Sequence, residues 1–186
     1  ALSLQVPLIR LIEAYVRNFC RVEALKSLDA AGISVQIYGD GWEFASFEQH
    51  VVNPAVEYGE SLRLLTRAKI ALNISPQFFS GSHERVFDAT LNGAACLTTR
   101  SSYLAEVFAA DQEIAFCDVA ETDSVVEQAR SLLEDDAKRS DMAQAAKISA
   151  VGKHTWAARA ETVIEAYQAH LQMRDTLAKL AAASKE

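Results

Sequence analysis

The sequence predicts an α/β fold of three layers, α/β/α: a mostly parallel sheet of about five strands, helices on both faces, and a long C-terminal helix. Two observations carry this. Short runs rich in apolar and β-branched residues, such as Ile33–Tyr38 and Ile70–Ile74, alternate with longer stretches of helical periodicity. Hydrophobic residues make up 50% and charged residues 23% of the 186 positions, enough for one domain with a sizeable core.

Taken in order, the first helix is expected from Pro7 to Ala31. Leu8, Leu11, Ile12, Tyr15, Phe19 and Leu25 give its period, Pro7 suits a first turn, and Gly32 follows its end. Arg10, Arg17 and Arg21 either reach a ligand or lie on its solvated face, the second being preferred. Ile33–Tyr38 reads as a strand, and Gly39-Asp40-Gly41-Trp42 follows at once. Two glycines there permit a tight turn and close approach of backbone to a ligand, although most such pairs are only turns. Trp42 either stacks on something flat or covers the core. A short strand is expected at Val51-Val52, a helix over Tyr58–Lys69 and a buried strand over Ile70–Ile74. The central helix comes next, then strands at Ala94–Thr98 and Glu113–Cys117 around a short helix at Tyr103–Phe108. Two helices, Asp118–Glu134 and Asp135–Val151, precede the last one, which runs from His154 toward Ser184 with Trp156, Val163, Ile164, Tyr167 and Leu171 as its apolar face. Right-handed crossovers between such strands make the domain Rossmann-like.

Composition narrows the function classes. The net charge of −7 opposes a broad nucleic-acid surface and requires a local positive site for any phosphate ligand. Cys20, Cys96 and Cys117 lie far apart in apolar patterns, which favours reduced core thiols over a disulfide framework or zinc site. No leader and no membrane-spanning run is visible, so a cytoplasmic setting is expected. The chain opens Ala-Leu-Ser, as a piece of something longer does.

The most informative stretch is Ser80-Gly81-Ser82-His83-Glu84-Arg85-Val86-Phe87-Asp88, running on to Asn92-Gly93. Ser80, Gly81 and Ser82 are expected to cap a short helix that Gly93 ends in a left-handed conformation. Glu84, Asp88 and Asn92 line one side, and Val86, Phe87, Thr90 and Leu91 the side that meets a sheet. Backbone N–H groups at such a helix start, beyond a strand end, suit an anion such as a diphosphate. Arg85 adds a permanently charged donor, and Asp88 can accept from paired sugar hydroxyls. The plain alternative is an ordinary helix start with an Arg85–Asp88 surface ion pair.

The segments Gly81–Ala89, Asn92-Gly93-Ala94, His154–Arg159 and Ile37–Trp42 resemble the C-terminal domain of bacterial GT-B glycosyltransferases, in the group related to spore-maturation enzymes. The resemblance spans roughly residues 33–166 and implies the donor-binding half of a two-domain hexosyltransferase, with the acceptor domain absent from residues 1–186. Its donor substrate is a nucleoside-diphosphate sugar, with UDP the expected nucleotide, and no metal or other cofactor is implied. On the matching positions, Asp88 holds the ribose. Gly81 to Arg85 border the diphosphate, Phe79 and Ser80 are further substrate-binding candidates with Ser82, and Gly39, Asp40, Gly41 and Trp42 lie near the nucleotide. His83, Glu84 and Arg85 are the candidate catalytic residues. Ser80 stands eight residues before Asp88, where many retaining enzymes carry an acid, so the stereochemical outcome stays open.

His83 is either a proton carrier or a capping histidine, and Glu84 either a catalytic acid or a helix-start acid. His50, His154 and His170 read as structural or exposed, and no cluster has metal-ligand spacing. The competing function is a catalytically silent Rossmann-like module that docks a partner. It is favoured if Arg85 and Asp88 are consumed by internal ion pairs.

Overall fold

The computed structural model describes residues 2–183. Ala1 and Ser184, the residue toward which the last helix was expected to run, lie outside them. The chain divides into two units, Ala1–Ile148 and Ser149–Glu186. The elements are α1 (Leu2–Ala30), β1 (Gln36–Tyr38), β2 (Val51–Asn53), α2 (Tyr58–Leu65), β3 (Ile70–Asn73), α3 (Glu84–Leu91), β4 (Ala95–Thr99), α4 (Ser102–Val107), β5 (Ala115–Cys117), α5 (Thr122–Glu134), α6 (Asp136–Val151) and α7 (Trp156–Ala183).

All strand pairs are parallel, and the connections between paired β3, β4 and β5 carry helices, as expected for a Rossmann-like α/β/α fold. The five strands do not form one sheet. β1 pairs only with β2, in register Ile37↔Val52, while β3, β4 and β5 form a separate sheet with Leu72↔Leu97 and Leu97↔Ala115 opposed. Just before β1 the Ser34 hydroxyl donates to Gln49 O at 2.7 Å, the Val35 amide donates to His50 Nδ1 at 3.3 Å, and Val35 O accepts from the Val51 amide at 3.0 Å, which ties this segment to the β2 side. Among the described residues no ladder joins β1 to β3.

Buried His50 anchors that smaller sheet to α1, donating from Nε2 to Leu25 O at 2.9 Å. The Asp29 carboxylate adds to the anchor by accepting from the amides of Glu48 and Gln49 at 2.9 and 2.7 Å. The backbone hydrogen bonds made to Asp29 hold its pKa below the ordinary value.

The main core sits on one face of the three-stranded sheet. Ala24 and Leu28 of α1, Val125, Ala129 and Leu132 of α5 and Met142 of α6 cover Ala95, Leu97, Ala115 and Cys117. The alternate strand positions Cys96, Thr98 and Phe116 face the other way, on the side where α3 packs with its buried Val86, Ala89 and Thr90. Cys96 and Cys117 are free buried thiols, each pushed up to about 12 chiefly by burial, as inert core cysteines are.

α1 begins five residues before its expected start, with Pro7 inside it. In the second unit, α7 runs as a helix to Ala183, and the Thr155 hydroxyl caps it by accepting from the Ala158 amide at 3.2 Å. The apolar face expected there does not form a core: Trp156, Val163, Ile164 and Tyr167 are exposed, and Leu171 is half-buried.

Candidate functional site

The loop from β3 to α3 takes off from a buried polar brace. Asn73 Nδ2 donates to Thr98 Oγ1 at 2.9 Å, the Ser75 amide to Thr99 Oγ1 at 3.2 Å, and Ser75 Oγ to Asn73 Oδ1 at 3.2 Å. These bonds satisfy groups that burial would otherwise penalise, and they fix the strand ends from which the loop departs. Further along, Phe79 O accepts from the Ser102 amide at 2.9 Å, tying the loop to the start of α4.

His83 takes the capping alternative expected of it: His83, rather than Ser80, Gly81 or Ser82, is the N-cap of α3, its Nδ1 accepting from the Arg85 amide at 3.3 Å. His83 O accepts from the Val86 amide at 3.2 Å. The first turn is thus partly satisfied from within, and the backbone N–H groups of Gly81, Ser82, His83 and Glu84 are the ones that donate to no described residue. The cap also fixes the tautomer. With Nδ1 accepting, the proton of the neutral ring resides on Nε2. Burial, and next the charge of Arg85, hold His83 below its ordinary pKa, so it is neutral at pH 7. At the far end Gly93 adopts φ +83, as expected, and the Ala94 amide closes the turn on Ala89 O at 3.0 Å.

The glycine turn after β1 is a true one. Gly39 and Gly41 have φ +131 and +86, which a side chain strains to adopt. With Arg21 and Arg85 these residues border a cavity of about 540 Å³, together with Asp40 and half-buried Trp42. Trp42 stands 6.3 Å from Phe47, ring centre to ring centre. A second cavity of about 670 Å³ occupies the gap between β1 and β3. It is lined by Val35, Leu64 and Leu72, and by Arg85 and Asp88. Arg85 lines both, and no described carboxylate forms an ion pair with it.

Asp88 does not pair with Arg85. It accepts instead from the Tyr58 hydroxyl at 3.0 Å. Burial is the main cause that raises the Asp88 pKa, opposed by this hydrogen bond, and the same bond raises Tyr58. The ion-pair alternative is therefore not what the structure adopts.

Of the sequence-predicted site residues, Gly39, Asp40, Gly41, Trp42 and Arg85 share one cavity, and Arg85 and Asp88 the other. Phe79, Ser80, Gly81, Ser82, His83 and Glu84 border neither. Phe79 and Ser80 are exposed, and a Cβ on Gly81 would meet Phe78 at an ordinary 3.5 Å. One residue was missed: Tyr58 gave no signal beyond its place at a helix start. Arg21 takes the less favoured of its two alternatives: it is half-buried, lines the 540 Å³ cavity and donates from Nε to Ile74 O at 3.0 Å. The rotation of α1 that buries Ala24 and Leu28 brings Arg21, three and seven residues earlier, toward the sheet. Among the described residues no three His, Cys, Asp or Glu side chains are placed to hold a metal ion.

These features define a class: an α/β/α domain with a cationic, glycine-bordered crevice at the carboxyl ends of parallel strands. The chain belongs to the glycosyl transferase-like family, whose family model matches residues 17–165. That span begins at Arg17, includes every strand and ends within α7. A search of curated proteins finds no match.

Proposed function

We propose that this domain holds the nucleoside-diphosphate-sugar donor of a GT-B hexosyltransferase. One observation carries the reading: a guanidinium with no carboxylate partner, Arg85, stands between a glycine-bordered cavity and a cavity that contains Asp88. In this reading Arg85 neutralises the diphosphate, Asp88 accepts from the ribose hydroxyls, and the Gly39–Trp42 turn lies against the nucleotide. Phe79 to Glu84 border neither cavity, so in this reading the N–H groups of Gly81 to Glu84, with Phe79, Ser80 and Ser82, reach the phosphates only from the rim next to Arg85.

An acceptor hydroxyl attacks the anomeric carbon and gives its proton to a base carried by the acceptor domain, while the bond from that carbon to the diphosphate oxygen breaks and its electron pair leaves with the diphosphate. Arg85 and the Nε2–H of His83 stabilise that developing charge without a bound metal, and Glu84 tempers the field of Arg85. The acceptor is presented by a separate N-terminal domain, and the setting is the cytoplasm of a bacterium. No described helix is long and apolar enough to cross a membrane.

Calorimetry against UDP, GDP and their sugars tests the reading. A nucleoside diphosphate binds the folded chain, and Arg85→Ala weakens it by about 1.5–3 kcal/mol, the range of a hydrogen bond to a charged group. Absence of binding across the panel would refute the reading.

A further inference from the structure

Arg85 is not the only cation of the crevice. α1 brings Arg21 to it, with Arg17 on the same helix outside the lining. Arg21 borders the 540 Å³ cavity opposite the glycine turn, and its Nε bond to Ile74 O pins the side chain at the end of β3. Arg17, one helical turn earlier, donates from Nη1 to Glu13 at 3.0 Å, while its Nε is buried without a hydrogen-bond partner. Among the described residues Glu13 is the only carboxylate paired with any of Arg17, Arg21 and Arg85.

We infer that Arg21 is a second cationic wall of the cavity that Arg85 lines, and that the two together hold the diphosphate group of the ligand. This rests on the function proposed above and adds to it a residue of α1 for which the solvated face was preferred.

The energetics support a site that awaits an anion. Burial first, then the charges of Arg85 and Arg17, lower the Arg21 pKa to about 10, and Arg85 is lowered by burial and by Arg17. Both Arg21 and Arg85 stay charged at neutral pH; Glu84 acts the other way on Arg85 and Glu13 on Arg21, and Asp40 lines the same cavity, yet neither guanidinium forms an ion pair with a described carboxylate. The chain carries a net charge of −7, so two such cations on one cavity are not the drift of a basic protein but a local concentration. An anion held by Arg21 and Arg85 offsets it. A purely structural arginine at position 21 would behave differently, because its removal would only cost the bond to Ile74 O.

The test is calorimetry of the full chain with pyrophosphate, UDP, GDP and uridine, paired with thermal melts, on wild type, Arg21→Gln, Arg17→Gln and Arg85→Gln. Arg21→Gln is expected to weaken pyrophosphate and the nucleoside diphosphates about tenfold or more. It should leave any uridine binding unchanged and reduce the salt dependence of affinity. Arg17→Gln, which does not touch Ile74, is expected to raise the melting temperature of the ligand-free chain and to weaken the same ligands less. Unchanged diphosphate affinity in Arg21→Gln, with Arg85→Gln impaired, overturns the inference and leaves the proposed function standing. Pyrophosphate binding that depends on Arg21, with no preference for any nucleoside diphosphate, supports the cradle and removes the nucleotide reading. Failure of every anion to bind wild type overturns both.

Discussion

The two sheets differ in how they are supported, and the crevice draws on both. Every residue of β4 and β5 is buried, whereas β1 buries only Ile37 and β2 buries none. The three-stranded sheet is enclosed by α1, α5 and α6 on one face and carries α3 on the other. The two-stranded sheet hangs from α1 through His50 and Asp29. Arg85 and Asp88 therefore stand on the well-enclosed part of the unit, and the glycine turn stands on the thinly supported part. Regions with few buried apolar contacts open at lower free energy, so ligand-induced adjustment is expected on the side of Gly39–Trp42.

The largest effect that sharpens this comparison is a pair of core truncations. Leu97→Ala, in β4 at 1% exposure, is expected to cost about 2–5 kcal/mol in denaturant unfolding. Val52→Ala, in β2 at 46% exposure, is expected to cost within about 0.5 kcal/mol. Equal costs would mean that the two sheets share one core after all, and the distinction would break.

Next in size is the Tyr58–Asp88 pair, which tests the enclosed half as a binding surface. Tyr58→Phe removes one donor from Asp88 and is expected to change stability by about 0.5–1.5 kcal/mol. The pH dependence has two opposite signs. The folded-state pKa of Asp88 is raised, so its contribution to stability is fully present below the ordinary carboxylate value and is lost as pH rises through the raised one. Ribose recognition needs the ionised form, so nucleotide affinity falls as pH drops through that same value. Asp88→Asn should abolish both trends, as titration of melting temperature and of affinity against wild type will show. Parallel trends would deny Asp88 its role.

Much of the enclosed half is legible in the sequence, because its strands are continuous apolar runs bounded by Gly93 and polar loops, and burial on both faces leaves that pattern no alternative. The other half is not. Ile33–Tyr38 reads as a full strand, but Ser34 and Val35 bond to the chain around Gln49 and His50, fifteen residues on, and periodicity holds no record of such a partner. Gly39 and Gly41 were readable because positive φ restricts residue choice. Arg21 was readable only as the less favoured alternative, because a cation on a helix reads as solvated until the direction of the helix face is known. His83 was legible in part: a capping role was one of its two readings, but which residue caps could not be chosen over Ser80, Gly81 and Ser82, because Ser or Asn usually fills that role.

An effect of the same size as that at Tyr58 concerns the cap. His83→Ala removes the acceptor of the Arg85 amide but leaves the helix packed through Val86, Ala89 and Thr90, so the loss is expected at about 0.5–1.5 kcal/mol. Its pH dependence separates a neutral capping ring from a protonated one. The folded-state pKa of His83 is lowered by burial and by Arg85, so the unfolded chain takes up the proton first. The stability it contributes is present above the ordinary histidine value of about 6.5 and is lost as pH falls from there through the lowered value. His83→Asn keeps a side-chain acceptor at the N-cap and has nothing to titrate, so it should match wild type at pH 7 and lose less stability at pH 5. If wild type and His83→Asn decline together, the ring is not held neutral, and the Nε2–H assigned to the departing diphosphate loses its basis while the crevice lined by Arg85 keeps its own.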